Sequence, residues 1–155
     1  MQEIERKYLV NANLWKQINK GKGKLIQQGY FISNENFSVR VRTKGEKAFI
    51  TIKGTHGEIT RDEFEYEIPY SDAEFMLKQY TQPFLEKTRY EVEIDGKMWE
   101  IDEFHGQLSP LILAEIELQS EDEQFTLPDW VTKEVSTDPS YFNSNIVKRL
   151  DGSKI

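Results

Sequence analysis

The sequence predicts a mainly β fold with a few helices, α+β in class, arranged as an antiparallel sandwich or barrel. Three observations point there. About eight strand-length runs follow one another in hairpin-like succession. Helical patterns are few. Nearly every strand alternates an aliphatic-aromatic face with an ionic one. A chain of 155 residues is expected to form one domain over residues 1–155, and 37% hydrophobic residues supply its core.

The first strand lies in MQEIERKYLV, where Glu3, Glu5 and Lys7 share a face. Asn11 to Lys20 reads as a short helix capped by Asn11 or Asn13, and Gly21 to Lys24 as a turn. Strands follow near Leu25–Ile32, Phe37–Thr43 and Ala48–Lys53; Gly54 and Gly57 mark a loop before Thr60–Ile68. Ser71 to Glu74 reads as a capping box opening a helix that stops before Pro83. That helix must bury apolar residues, Phe75, Met76 and Leu77 among them, and so could cover the sheet from outside. Leu85–Ile94 and Met98–Phe104 form a hairpin about Asp95-Gly96, a type I′ turn signal. Leu111–Gln119 is a last strand. Asp129–Glu134 reads as a short helix, and Asp138-Pro139 as the start of a helix reaching Leu150.

Composition narrows the chemistry. A net charge of −7 argues against a general nucleic-acid or anionic-membrane surface but leaves room for a local basic cavity. Without cysteine there are no disulfides or thiolate metal sites. His56 and His105, both read as loop residues, speak against a histidine-rich zinc site. Any metal would be held by oxygen ligands, which suits a hard cation such as magnesium or manganese. No signal peptide and no membrane-length apolar run is found, so a soluble cytoplasmic protein is expected.

The ionic faces carry the functional argument. Arg40 and Arg42 share one face, as do Lys87 and Arg89; Lys53 joins the ionic face of its own strand. Arg61, Glu63, Glu65 and Glu67 line up, as do Glu100 with Asp102 and Glu115 with Glu117. A sandwich with charged faces in solvent explains simple alternation. Like charges repeated on one face repel and add nothing to folding, so a metal or polyanion accounts for them better. If the faces line a barrel instead, seven cations (Lys7, Arg40, Arg42, Lys53, Arg61, Lys87, Arg89) surround a compact polyanion. The carboxylates can then hold divalent cations bridging to the same phosphates. Alternation alone leaves both arrangements open.

EIERKYLV resembles the E-x-E-x-K signature of the CYTH domain, the triphosphate tunnel metalloenzyme family. VRVR at Val39, TIKG at Thr51, TRDEFEYEIP at Thr60, EKTRYEV at Glu86, WEIDEFHG at Trp99 and AEIEL at Ala114 follow in family order. The resemblance implies an eight-stranded antiparallel tunnel with a charged lumen, peripheral helices and a C-terminal plug helix carrying Tyr141, Asn143 and Asn145. It implies a magnesium- or manganese-dependent hydrolase acting on a small-molecule triphosphate, inorganic tripolyphosphate foremost, as a monomer or homodimer. Glu3, Glu5, Glu115 and Glu117 are implied as metal ligands. Lys7, Arg40, Arg42, Lys53, Lys87 and Arg89 are implied as phosphate contacts, with Lys7 and Lys87 also catalytic. Arg61 is assigned to phosphate or to its neighbouring acids. Glu63, Glu65, Glu100 and Asp102 are candidates for a second metal or for positioning the attacking water, with Glu63 set among the catalytic residues and Glu65 and Asp102 among the metal ligands. Tyr30 is assigned either to a catalytic dyad with Lys7 or to packing. Within the family, an adenylate cyclase or thiamine triphosphatase is the alternative. A non-catalytic polyphosphate-binding module needs the cations but not the acids, and a plain structural sandwich needs neither.

Overall fold

Nine antiparallel strands form one sheet that closes on itself in the computed structural model, which describes residues 1–55 and 57–153. The strands are β1 (Gln2–Val10), β2 (Lys24–Ser33), β3 (Phe37–Lys44), β4 (Lys47–Thr55), β5 (Thr60–Ile68), β6 (Leu85–Ile94), β7 (Lys97–Phe104), β8 (Ile112–Glu117) and β9 (Val131–Glu134). Their order is β5-β4-β3-β2-β6-β7-β8-β1, and β1 returns to β5, so eight strands make a barrel. The first half of β1 pairs with β5, with Glu3 opposite Arg61; its second half pairs with β9, with Tyr8 opposite Glu134.

The Asp129–Glu134 segment therefore ends in a strand where the sequence suggested a helix. Past Ile4 the edge of β1 has left β5, and its open N–H and C=O groups are a template for another strand. Val135 continues the pairing, its N–H donating to the Lys7 carbonyl.

The expected strands form with ends shifted by a residue or two, β8 being shorter than expected at both ends. At the β6–β7 turn Asp95 (φ 48°) and Gly96 (φ 76°) both have positive φ, as a type I′ turn requires. Among the described residues the α-helices are α1 (Ala12–Lys16), α2 (Tyr70–Tyr80) and α3 (Asn143–Ile146). Asn11 caps α1, its side-chain oxygen accepting from the Leu14 N–H. At α2 the capping box does not form: the helix starts at Tyr70, with Pro69 as N-cap and no side-chain cap. The Pro69 carbonyl instead accepts from the Asp72 and Ala73 N–H groups, and Ser71 falls inside the first turn.

The long C-terminal helix is replaced by three short pieces: a 3-10 turn at Pro139–Tyr141, α3, and a 3-10 turn at Val147–Arg149. Phe142 breaks the run with extended backbone (φ −71°, ψ 134°). Its ring stands 5.1 Å from the Arg61 guanidinium and 6.0 Å from the Lys7 ammonium, so it serves the lumen rather than a helix.

The apolar strand faces point outward, which overturns the sandwich reading. Trp15, Trp99, Trp130, Ile101, Ala114 and Ile116 form one core outside β1, β7 and β8, covered by α1 and the segment before β9. Val41, Ala48, Ala73 and Leu77 form a second core between α2 and the barrel. Gly29 permits that approach, because a Cβ there would collide with Thr81 and Leu77. Phe75, expected in that core, is 57% exposed and makes an edge contact with Tyr80. Consecutive helical residues point about 100° apart, so Phe75 cannot share the buried face of Leu77. Tyr30, Phe104, Leu113, Ile146 and Val147 form a third core that seats α3 on the barrel. No described helix is long and apolar enough to cross a membrane.

Candidate active site

Period-two alternation sends every second side chain into the barrel, and the strands donate their charged set. The result is a cavity of about 820 Å³, within the roughly 300–1,000 Å³ of small-molecule sites. Its wall includes Glu3, Glu5 and Lys7 from β1; Tyr30 from β2; Arg40, Arg42 and Lys44 from β3; and Lys53 from β4. It continues with Arg61, Glu63 and Glu65 from β5, Lys87 and Arg89 from β6, Glu100 from β7, and Glu115 and Glu117 from β8. Every residue assigned to the site from sequence except Asp102 lines this cavity. Asp102 lies just behind it, 1% exposed, gripped by Lys87 and Arg89. Glu67, Glu91 and Glu93 continue the ionic faces but are exposed.

Topology sets which charges face one another. Counting round the eight strands, β3 lies four steps from β8 in either direction. Arg40 and Arg42 therefore stand across the lumen from Glu115 and Glu117. By the same count β6 (Lys87, Arg89) faces β5 (Arg61, Glu63, Glu65). The lumen thus has a cationic wall and an acidic one.

Ion pairs compensate part of this charge. The Lys53 ammonium reaches Glu3 at 2.9 Å and Glu63 at 3.4 Å. Burial and Arg40 work against its charge, but Glu5, Glu3 and Glu63 together hold its pKa above the ordinary value. Glu65 lies 3.4 Å from Arg42 and 3.8 Å from Arg40, and accepts from the Thr51 hydroxyl at 2.8 Å. Arg89 donates to both Asp102 oxygens at 2.7 and 2.8 Å, and to Glu115 at 3.3 Å.

The compensation is incomplete. Burial, with Arg40 and Arg89 nearby, pushes the Arg42 guanidinium down to about 10. The Nε atoms of Arg40 and Arg42 are buried without a protein acceptor. Burial lowers the Lys87 ammonium to about 8 despite Asp102. Buried cations with donors left over are chemically suited to anionic oxygens. On the acidic wall, burial and then Glu115 and Glu3 raise the Glu5 carboxyl well above its ordinary range. Burial acts on Glu115 too, but Lys7 and Arg89 outweigh it and hold Glu115 well below. Burial and its carboxylate neighbours thus oppose a charge on Glu5, while the cations beside Glu115 favour one there. Burial, Glu3 and Glu100 raise Glu117 as well.

That acidic wall fits a divalent cation. Its donors are all oxygen, and burial and neighbouring carboxylates raise both Glu5 and Glu117, a repulsion that a bound cation would relieve. Among the described residues no three acidic or histidine side chains are yet gathered into a cluster able to hold an ion. Glu3 and Glu115 are turned to Lys53 and Arg89 instead.

Three further findings concern the expected roles. The Tyr30 hydroxyl accepts from Gln28 Nε2 at 2.8 Å, while Lys7 donates to the Tyr141 carbonyl at 3.1 Å. Arg61 donates to the Gly57 and Thr60 carbonyls and stacks near Phe142. His105 holds a loop, its Nε2 2.7 Å from the Thr88 hydroxyl; His56 lies outside the described residues. Sequence reasoning missed Lys44, which shares the face of Arg40 and Arg42 but falls one residue past the expected strand end. It also missed Phe142 as a lumen residue, for which periodicity offers no signal.

An eight-stranded antiparallel barrel with this lumen defines a polyanion-binding tunnel. The chain belongs to the CYTH domain family, whose pattern it matches over residues 1–149. It is 44% identical over 147 residues to an inorganic triphosphatase of Acetivibrio thermocellus, covering 94% of this chain and 93% of that protein. An inorganic triphosphatase of Nitrosomonas europaea is 35% identical over 147 residues, covering 92% of this chain and 95% of the relative. A crystal structure of an inorganic triphosphatase superposes with a TM-score of 0.68 at 33% identity, covering 97% of both chains.

Proposed function

We propose that this protein is a divalent-metal-dependent triphosphatase that hydrolyses inorganic tripolyphosphate in its tunnel. The observation that carries the reading is the two-sided lumen, with Arg40, Arg42, Lys53, Lys87 and Arg89 available to a polyanion and Glu3, Glu5, Glu115 and Glu117 to a cation. The two relatives named inorganic triphosphatase support it. Dependence on a divalent metal is general in the family; magnesium or manganese suits the oxygen donors.

In this reading the cationic wall takes the phosphate oxygens. Arg40 and Arg42 offer bidentate forks, and Lys7, Lys53 and Lys87 act as point charges. Arg89, clamped by Asp102, keeps a fixed direction while it meets phosphate. Glu3, Glu5, Glu115 and Glu117 would hold the divalent cation, which would supply neutralisation of the phosphate charge. Glu63 and Glu65, on the strand facing Lys87 and Arg89, are placed to orient water toward a terminal phosphorus, in line with the departing diphosphate. Glu65 and Asp102 stand close to cations, so Lys and Arg partners compete there with a second metal. Positioning and preformed electrostatics supply most of the rate enhancement. The same proposal takes residues 1–155 as one tunnel domain, in a cytoplasmic monomer or homodimer acting on small molecules rather than nucleic acid or membrane.

The test is phosphate release from tripolyphosphate, ATP and thiamine triphosphate with magnesium, manganese or calcium. Fastest release from tripolyphosphate, abolished by a chelator, is expected. No release with any metal, or release that a chelator leaves unchanged, overturns the reading.

A further inference from the structure

On the reading of the tunnel as a triphosphate site, we propose that Asn143 is a positioning residue. Its side-chain oxygen fixes the Lys87 ammonium and, through Gln28, the Tyr30 hydroxyl, leaving each with a hydrogen for substrate oxygens in the lumen.

The hydrogen bonds run in an unbroken series. Lys87 is 1% exposed, and its Nζ donates to Asn143 Oδ1 at 2.8 Å and pairs with Asp102 Oδ2 at 2.8 Å. An ammonium has three donors, so one remains, and Lys87 lines the cavity. Asn143 Oδ1 also accepts from Gln28 Nε2 at 3.5 Å. Gln28 is 0% exposed and spends its other amide hydrogen on the Tyr30 oxygen at 2.8 Å. A hydroxyl that accepts in this way keeps its own hydrogen to give, and Tyr30 also lines the cavity.

Asn143 is suited to this task by its mounting. It opens α3, and Ile146 and Val147 just beyond it are buried in the same core as Tyr30, Leu85 and Phe104. The amide oxygen is thus tied to the barrel wall by packing as well as by hydrogen bonds. Asp102 already answers the charge of Lys87; what Asn143 adds is direction. Two acceptors at fixed places leave the ammonium one orientation for its third hydrogen. Gln28 pays toward the same end, since orienting its amide group this way leaves its buried Oε1 without a protein partner.

The experiment compares Asn143→Leu, which keeps the size and removes the acceptor, with Asn143→Asp, which keeps the acceptor. The Leu variant is expected to lose kcat on tripolyphosphate by at least about tenfold while melting near the unaltered protein. The Asp variant is expected to keep kcat near that of the unaltered protein, with KM raised by its added negative charge. Unchanged kcat and KM in the Leu variant overturn the proposal. So does an equal loss of kcat in both variants, which marks a merely structural segment. Calorimetric binding of tripolyphosphate in metal-free buffer separates this from the functional reading. If the unaltered protein binds but does not hydrolyse, that reading fails alone. Weaker binding by the Leu variant then supports the positioning role, and equal binding overturns it.

Discussion

Replacing Asp102 with Asn should cost this protein several kcal/mol and make it less sensitive to acid. The Asp102 carboxylate is 1% exposed and accepts from Arg89 Nε at 2.7 Å and Nη2 at 2.8 Å, with the Lys87 ammonium 2.8 Å away. Burial alone would raise its pKa, but Arg89 and Lys87 outweigh it and bring it from 3.8 to about 2. A depression of nearly two units corresponds to about 2 kcal/mol favouring the folded ionised form. Because the folded pKa is the lower one, that stability is complete above the unfolded pKa near 4. It is lost as pH falls toward about 2. Asn keeps the shape but leaves two buried cations face to face, and breaking a buried pair costs about 3–5 kcal/mol. At roughly 2–4 °C per kcal/mol for a chain of this size, the variant should melt about 6–20 °C lower at neutral pH. Its melting temperature should fall less than that of the unaltered protein between pH 4 and pH 2. Added tripolyphosphate should stabilise it more than the unaltered protein, by supplying the missing negative charge. Calorimetric melting across pH, with and without tripolyphosphate, measures all three. A variant melting within a degree of the unaltered protein at neutral pH would refute the claim that Asp102 organises the cations.

Other expectations come from the same lumen. Glu5→Gln removes a carboxyl whose ionisation is opposed by burial, Glu115 and Glu3, so it should melt at or above the unaltered protein yet lose metal-dependent turnover by about a hundredfold or more; unchanged turnover would sink its role at the metal. Arg40→Ala and Arg42→Ala should each raise KM for tripolyphosphate by about tenfold or more with the melting temperature held or raised, since like charges are removed from a crowded wall; lower melting in both would count against a strained lumen. Burial lowers the Lys87 ammonium to about 8, so kcat/KM should decline as pH rises through that value. Lys87→Met should be far slower and lack that alkaline limb, and a profile in the unaltered protein that stays flat to pH 9.5 would contradict the assignment.

Much of this was legible because side-chain alternation is local. Arg40 with Arg42, Lys87 with Arg89 and Glu115 with Glu117 lie two residues apart, so each pair had to share a face wherever its strand went. The Asp95-Gly96 turn was equally local, resting on two residues that tolerate positive φ. The capping box at Ser71 failed although its pattern was correct, because Pro69 closed the first turn by main-chain bonds two residues earlier.

Strand alternation already gives two chemically opposite faces and the residues on each. It could not determine which face was inside, because that depends on closure, and closure depends on β1 meeting β5 across more than fifty residues of chain. Only the closed barrel sets Arg40 and Arg42 across from Glu115 and Glu117, puts Asp102 behind Arg89, and brings Glu115 close enough to Glu5 to oppose its ionisation. It also made Val131–Glu134, the end of the expected Asp129–Glu134 helix, a strand, because β1 had an open edge to fill. Spacing along a strand is a property of the chain; the sign of the charge facing each residue across the lumen is a property of the closed barrel.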